Sequence, residues 1–221
     1  MNGHNYINKL FQILLTVTLS LFIIFSAVKL TLMFKPLYYL DIDYLNIEKE
    51  SNFGRDEIIK NYDYVIDYLL SQKEEDFKLP SIQYTEHGAI HFKDVKRIFT
   101  EIDYLLVVTG IFSAIGIFFY IKNRRLGFLK RTSSMLIILP MVLFTIFIID
   151  FDSAFTAFHK MFFNNDYWIF NPRLDQIIKI LPEEFFYHCA LLILILLVLM
   201  SIILRLVYKK YKLYDTKKSA I

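Results

Sequence analysis

Apolar positions along this chain fall into two regimes, one nearly continuous and one periodic. Leu10 to Val28 runs 19 residues without a charge, Tyr104 to Ile121 and Thr132 to Ile149 run 18 each, and Cys189 to Leu204 runs 16. The last reaches about 20 if Arg205 extends its guanidinium to the headgroups. About 20 apolar residues at 1.5 Å rise cover the hydrocarbon core of a bilayer, so each stretch predicts a membrane-spanning helix. The first run is longer than the apolar region of a signal peptide, and no clean small-residue cleavage site follows Ala27, so it is read as a retained anchor. Gln12, Thr16, Thr18 and Ser20 in the first span, and Gly110 and Ala114 four apart in the second, suit close helix contact. Pro140 predicts a kink in the third.

Two segments between the spans carry mixed patterns. In the longer one, Lys29 to Asp103, alternation through Leu40, Asp41, Ile42 and Asp43 predicts a short strand over Tyr38–Ile47. Ile58, Tyr62, Val65 and Leu69 recur at helical spacing and predict a helix from about Arg55 to Ser71, with Asp56 and Glu57 opposing its dipole. Lys73 to Lys78 is a charged loop closed by Pro80, and a second short helix is expected over His91–Thr100, leading into the second span. About 75 residues bury little core alone, so this cap should lean on the bundle and on the other segment. That shorter segment, Asp150 to Tyr187, holds eleven aromatic residues, a density suited to the bilayer interface. Phe151, Phe155, Phe158 and Phe162 share a helical face, with His159 on or beside it.

The expected fold is therefore a mainly α integral membrane protein, a four-helix transmembrane bundle with a small, mostly helical extracellular cap. Its divisions are 1–28 (arm and first span), 29–103 (cap), 104–121 (second span), 122–131 (basic loop), 132–149 (third span), 150–187 (aromatic interfacial segment), 188–208 (fourth span) and 209–221 (basic tail).

Composition excludes several classes. With 56% hydrophobic and 21% charged residues among 221, the chain is too apolar for disorder, and Cys189 alone rules out an internal disulfide. The net charge of +3 matters through its distribution. The N-terminal piece, the 122–131 loop and the stretch Arg205 to Lys218 together hold net +11, leaving −8 for everything else. Basic residues mark the cytoplasmic side, so both termini are expected there and the two long segments outside. The cytoplasmic cations are read as topology and anionic-lipid contacts, not nucleic-acid binding.

Candidate chemistry rests on histidine. His4 lies in the N-terminal arm, and His188 opens the last span, where snorkelling or packing is expected. His87 and His91, four apart, could bind a metal on one helical face, but Glu86 precedes the first, so neither HExxH nor HxxEH is met, and Gly88 weakens such a helix. There is no GxSxG, and Cys189 sits within a span, so a covalent acyl-enzyme is unsupported. What remains is either acid–base work by His91 and His159, with Asp94 available to orient an imidazole, or packed interfacial histidines. One reaction using both requires imidazoles within about 8 Å.

The strings His91-Phe92-Lys93-Asp94-Val95-Lys96 and Phe158-His159-Lys160-Met161-Phe162-Phe163-Asn164-Asn165-Asp166-Tyr167-Trp168, followed by Asp175 and by Ile180-Leu181-Pro182-Glu183-Glu184-Phe185-Phe186, resemble the two signature stretches of the lipoprotein intramolecular transacylase family, bacterial proteins with four spans. Phe92 departs from the Met expected there and leaves the His and Asp in place. The resemblance implies an acyltransferase that moves the sn-2 acyl chain of a lipoprotein's diacylglyceryl-cysteine onto that cysteine's own α-amino group. It implies a catalytic pair, His91 and His159, with either one as base. Asp94, Lys96, Asn165, Asp166 and Trp168 would support them. No metal and no cofactor are expected. The expected partners are a diacylated lipoprotein and membrane lipid, without nucleic acid and with the protein a monomer in the bacterial cell membrane, its site facing outside. Two other readings stand beside this one, a metal-dependent membrane hydrolase using His87 and His91 and a non-catalytic membrane sensor or assembly protein.

Overall fold

The computed structural model describes residues 3–123 and 125–219. The side chain of His4 and all of Arg124 lie outside what is described, as do the side chains of Lys217 and Lys218 in the tail. Among the described residues there is no strand, and the helices are α1 (Gly3–Met33), α2 (Lys35–Tyr44), α3 (Ile47–Ser51), α4 (Arg55–Leu70), α5 (Glu86–Lys122), α6 (Gly127–Ile149), α7 (Phe151–Phe162), α8 (Ile177–Ile180) and α9 (Glu183–Ser219). Four of them, α1, α5, α6 and α9, are long and apolar enough to cross a membrane. α6 continues through Pro140.

Two expectations are corrected. The strand expected over 38–47 is helical, as α2 with Pro36 in its first turn, where a missing N–H costs nothing. Its alternation misleads because Asp41, nominally the outward residue, is buried with Tyr38 and Ile42. The short helix expected at His91 is the front of α5, which begins at Glu86 and runs unbroken into the second span. Its 37 residues measure about 55 Å, well beyond a hydrocarbon core of about 30 Å. The charge-free part starts at Tyr104, and the front part, with Lys93, Asp94, Lys96 and Arg97, lies outside it.

The chain forms two compact units, Met1–Val28 with Tyr104–Thr145 and Ile193–Ile221, and Lys29–Asp103 with Ile146–Leu192. In the first, Leu15, Leu19, Ile23, Tyr120, Phe128 and Leu197 make the buried core. A Cβ at Gly110 would sit 3.1 Å from the Phe22 ring, and one at Gly116 would sit 2.6 Å from a Leu15 methyl. The close approach between α1 and α5 therefore uses Gly110 and Gly116, whereas Ala114 is exposed. Val107, Ile111, Ile115 and Phe118 on the outer face of α5 are also exposed, which is how a lipid-facing helix solves its solvation problem.

In the second unit, α2, α4, the front of α5, α8 and the start of α9 share one core. Tyr38 stacks on Tyr62 at 3.7 Å between ring centroids, Phe185 meets Tyr38 edge-on at 5.1 Å, and Phe77 stacks on Phe92 at 4.5 Å. The Tyr38 hydroxyl donates to the Ile180 carbonyl, tying α2 to α8. Segments remote in sequence thus bury one another's apolar faces, as a short cap must. Asn46 and Asn52, with φ of 53° and 61°, supply the left-handed positions flanking α3, a conformation that asparagine tolerates.

Candidate active site

The front of α5 is held at its N-terminus by a built cap. Thr85 accepts the Gly88 N–H through its hydroxyl at 3.1 Å, and buried Asp175 accepts both the Thr85 N–H at 2.8 Å and the Thr85 hydroxyl at 2.7 Å. A carboxylate here also faces the positive end of the helix dipole. Gly88 is what allows it, since a Cβ there would lie 2.6 Å from Asp175 Oδ1. One turn later α5 presents His91. Asp150, whose carboxylate accepts the Ser153 N–H at 3.0 Å, caps α7, and that helix presents His159 two turns on.

The two imidazoles converge. His91 and His159 are both buried, with ring centroids 6.0 Å apart and planes 32° from parallel. Around them Phe155 lies 4.0 Å and Trp168 4.7 Å from the His159 ring, while Phe163 and Phe170 meet His91 edge-on at 4.9 and 5.3 Å. His159 Nδ1 is 2.8 Å from the Phe155 carbonyl. A carbonyl only accepts, so Nδ1 carries the hydrogen, and in the neutral ring Nε2 carries the lone pair. His91 Nδ1 and Trp168 Nε1 are fully buried and have no hydrogen-bond partner among the described residues.

Burial sets the protonation. It pushes His91 down to about 4, helped by the neighbouring His159 and opposed by Asp94. It lowers His159 as well, where the Phe155 carbonyl works in the other direction. Desolvation disfavours the imidazolium at both sites, so both rings are neutral at neutral pH.

The other sequence-predicted residues separate by position. Asn165 donates to Asp94 Oδ2 at 3.0 Å and accepts the Tyr167 N–H at 3.1 Å, so the pair ties α5 to the loop after α7. Asp94 also lies 3.7 Å from Arg97. Lys96 points elsewhere, donating to the Lys73 carbonyl at 2.8 Å, lying 3.7 Å from Glu75 and covering the Tyr68 ring. Asp166 is exposed, and its backbone carbonyl accepts the Ile169 N–H. His87 is exposed and stacks on Tyr167 at 4.1 Å. Among the described residues no three His, Cys, Asp or Glu side chains converge as a metal site would require.

His188 is corrected as well. Its Nδ1 donates to both oxygens of Asp41, at 2.8 and 2.9 Å, so it neither snorkels nor merely packs. Nothing in the pattern around residue 41 announced a buried carboxylate. The helix cap was legible in principle, through Thr85 three residues before a glycine.

A family model described as lipoprotein intramolecular transacylase Lit matches residues 13–186. The chain belongs to the lipoprotein intramolecular transacylase family. In meso structures of the membrane-integral transacylase Lit from Bacillus cereus are similar throughout. One is 35% identical with a TM-score of 0.93, covering 98% of this chain and 100% of that one. A second, of a variant with one histidine changed to alanine, is 34% identical with a TM-score of 0.87, covering 99% and 98%. A third, with a histidine changed to arginine, is 36% identical with a TM-score of 0.81, covering 99% of each chain. No curated protein matches the sequence. As a Lit family member the chain is a membrane-integral acyltransferase of mainly α fold, as its two signature stretches implied.

Proposed function

We propose that the chain transfers an acyl group within one lipoprotein molecule, from the sn-2 ester of the diacylglyceryl group to the α-amine of the same N-terminal cysteine, and that His159 and His91 do the proton work. The observation that carries this reading is the pair of neutral, buried imidazoles 6.0 Å apart, one with its lone pair set by a backbone carbonyl. Donor ester and acceptor amine belong to one substrate, so holding them together replaces a covalent relay.

His159 Nε2 takes a proton from the attacking amine as the nitrogen–carbon bond forms. His91, kept neutral by burial, offers an N–H to the oxyanion of the tetrahedral intermediate, and the unpartnered Trp168 Nε1–H is a second donor suited to the same oxygen. When the carbon–oxygen bond to glycerol breaks, the His159 imidazolium returns its proton to the leaving alkoxide. Both histidines end as they began, and the ester-to-amide exchange runs downhill without a cofactor. Asp94 and Asn165 act as positioning residues, holding the loop that carries Trp168 against α5.

The charge distribution supports a site on the outer face of the cell membrane with both termini in the cytoplasm, and the family name supports a lipoprotein as partner. Incubating the purified protein with a diacylated lipopeptide and analysing the product by mass spectrometry tests the reading. An acyl group on the peptide nitrogen, with one glyceryl ester remaining and no water added, is expected. Release of free fatty acid in its place would end it.

A further inference from the structure

At its basic end the first unit carries two adjoining grooves that the acyl transfer does not use. One, of about 410 Å³, runs between α6 and α9, with Ser134 and Ile138 on one wall and Ile202, Arg205, Leu206 and Lys209 on the other. The other, of about 740 Å³, shares Ser134 and Ile138 and adds Lys130 and Arg131.

The register of these walls is fixed. Ser201 donates to the Ser133 carbonyl at 2.6 Å, so the antiparallel helices meet level at those two positions. One turn from that contact toward the basic end stand Lys130 on α6 and Arg205 on α9, with Lys209 a further turn along. One turn the other way stands Ile138, which is largely exposed, as are Ile202 and Leu206. Along α6 the order is cation, hydroxyl, hydrocarbon, while α9 brings Arg205 and Lys209 to the cationic end and Ile202 level with the hydroxyls. That gradient is the profile of a glycerophospholipid from phosphate to acyl chain. The cations match an anionic headgroup, and the wall below them is apolar.

The geometry points to a binding site for an anionic glycerophospholipid. Its phosphate is held by Arg205 and Lys209, and one acyl chain lies along Ile138 and Ile202. The inference is independent of the proposed reaction, because it uses no residue of the histidine site.

Native mass spectrometry of the full-length protein, titrated with phosphatidylglycerol or phosphatidylcholine, tests it. Phosphatidylglycerol should be retained in preference to phosphatidylcholine. The Arg205→Gln/Lys209→Gln variant should bind it about thirtyfold more weakly, following from the usual contribution of two cations at a lipid surface. The charge-matched Lys210→Gln/Lys212→Gln variant, altered outside the grooves, should stay within about twofold of wild type. Ile138→Trp, which fills the apolar wall without changing charge, should also weaken binding, and it carries the test if the double variant does not fold. Excess inorganic phosphate should fail to displace the lipid. Equal retention of both lipids, equal loss in the charge-matched control, or displacement by phosphate alone would each overturn the site.

Discussion

His159 is held so that one nitrogen is committed to the Phe155 carbonyl at 2.8 Å and the other faces the site, and the pH dependence of transfer follows from that. A base acts only when neutral. Burial lowers His159 below the ordinary value of 6.5, so its neutral form persists to lower pH than in water. The acceptor amine, by contrast, ionises near 8 and must lose its proton first. Between about pH 6.5 and 7.5 the log rate should therefore rise with unit slope, set by the amine alone. A second proton should enter only below 6.5, where the slope steepens. A steepening at or above 6.5 in single-turnover rates would contradict a buried base. His159→Ala and His91→Ala should each lower the rate by about 10²- to 10⁴-fold, while His87→Ala, on an exposed ring stacked on Tyr167, should keep most of it. Wild-type rates in either of the first two variants would exclude the two-histidine mechanism. Asn165→Ala should cost about tenfold or more by releasing the loop that carries Trp168, since small misplacements are expensive in preorganised sites. Exchanging the pair as Asp94→Asn/Asn165→Asp, which preserves an amide–carboxylate bond, should recover part of that loss. The pH break should stay where it was in both. A moved break would mean that the pair tunes the base and does more than position the loop.

At the scale of the helix, the placement of His91 depends on how α5 begins, and Gly88 sets two opposing effects against each other. Replacing glycine by alanine inside a helix ordinarily gains about 1 kcal/mol. Here the new methyl would lie 2.6 Å from Asp175 Oδ1, an oxygen already anchored by two bonds from Thr85. Overpacking of this kind costs about 1–3 kcal/mol, so Gly88→Ala should lower the thermal midpoint of the detergent-solubilised protein and reduce activity with it. A raised midpoint with full activity would show that Asp175 is free to move. The same helix shows what a single sequence conveys and what it hides. The spans were legible because each is a long run without charge, and α4 was legible because Ile58, Tyr62, Val65 and Leu69 keep one face. The first turn of α5, before His91, was not, because Gly88 reads as a helix breaker until its neighbour Asp175, 87 residues on, is known. α2 was missed for a related reason. Leu40 to Asp43 alternates as a strand would, and only the His188 ring, brought from α9 to Asp41 at 2.8 Å, makes a buried carboxylate tolerable there. The histidine pair was readable as chemistry but not as distance, since two spans separate its members in sequence.

For the whole molecule, the distribution of charge predicts how the chain sits in its bilayer. Net +11 is gathered in the N-terminal piece, the 122–131 loop and the stretch Arg205 to Lys218, against −8 elsewhere. Basic residues in short flanking segments stay on the cytoplasmic side during insertion, and acidic ones have little influence. The 122–131 loop and the tail are short and immediately follow spans, where basic residues weigh most. With four spans, the charge-rich ends are expected on one side and the segment carrying α2, α3 and α4 on the other, with the histidine site. The orientation matters to the reaction, since an acceptor displayed on the outer leaflet reaches His91 and His159 only if they face it. Impermeant thiol labelling of intact cells checks this in a Cys189→Ala background, which removes the native thiol. A cysteine at exposed Glu74, in the charged loop after α4, should react with the reagent at once. One at exposed Lys210, near the end of α9, should react only after the membrane is opened. The reverse pattern would place the histidines on the cytoplasmic face and leave a lipoprotein on the outer leaflet beyond their reach.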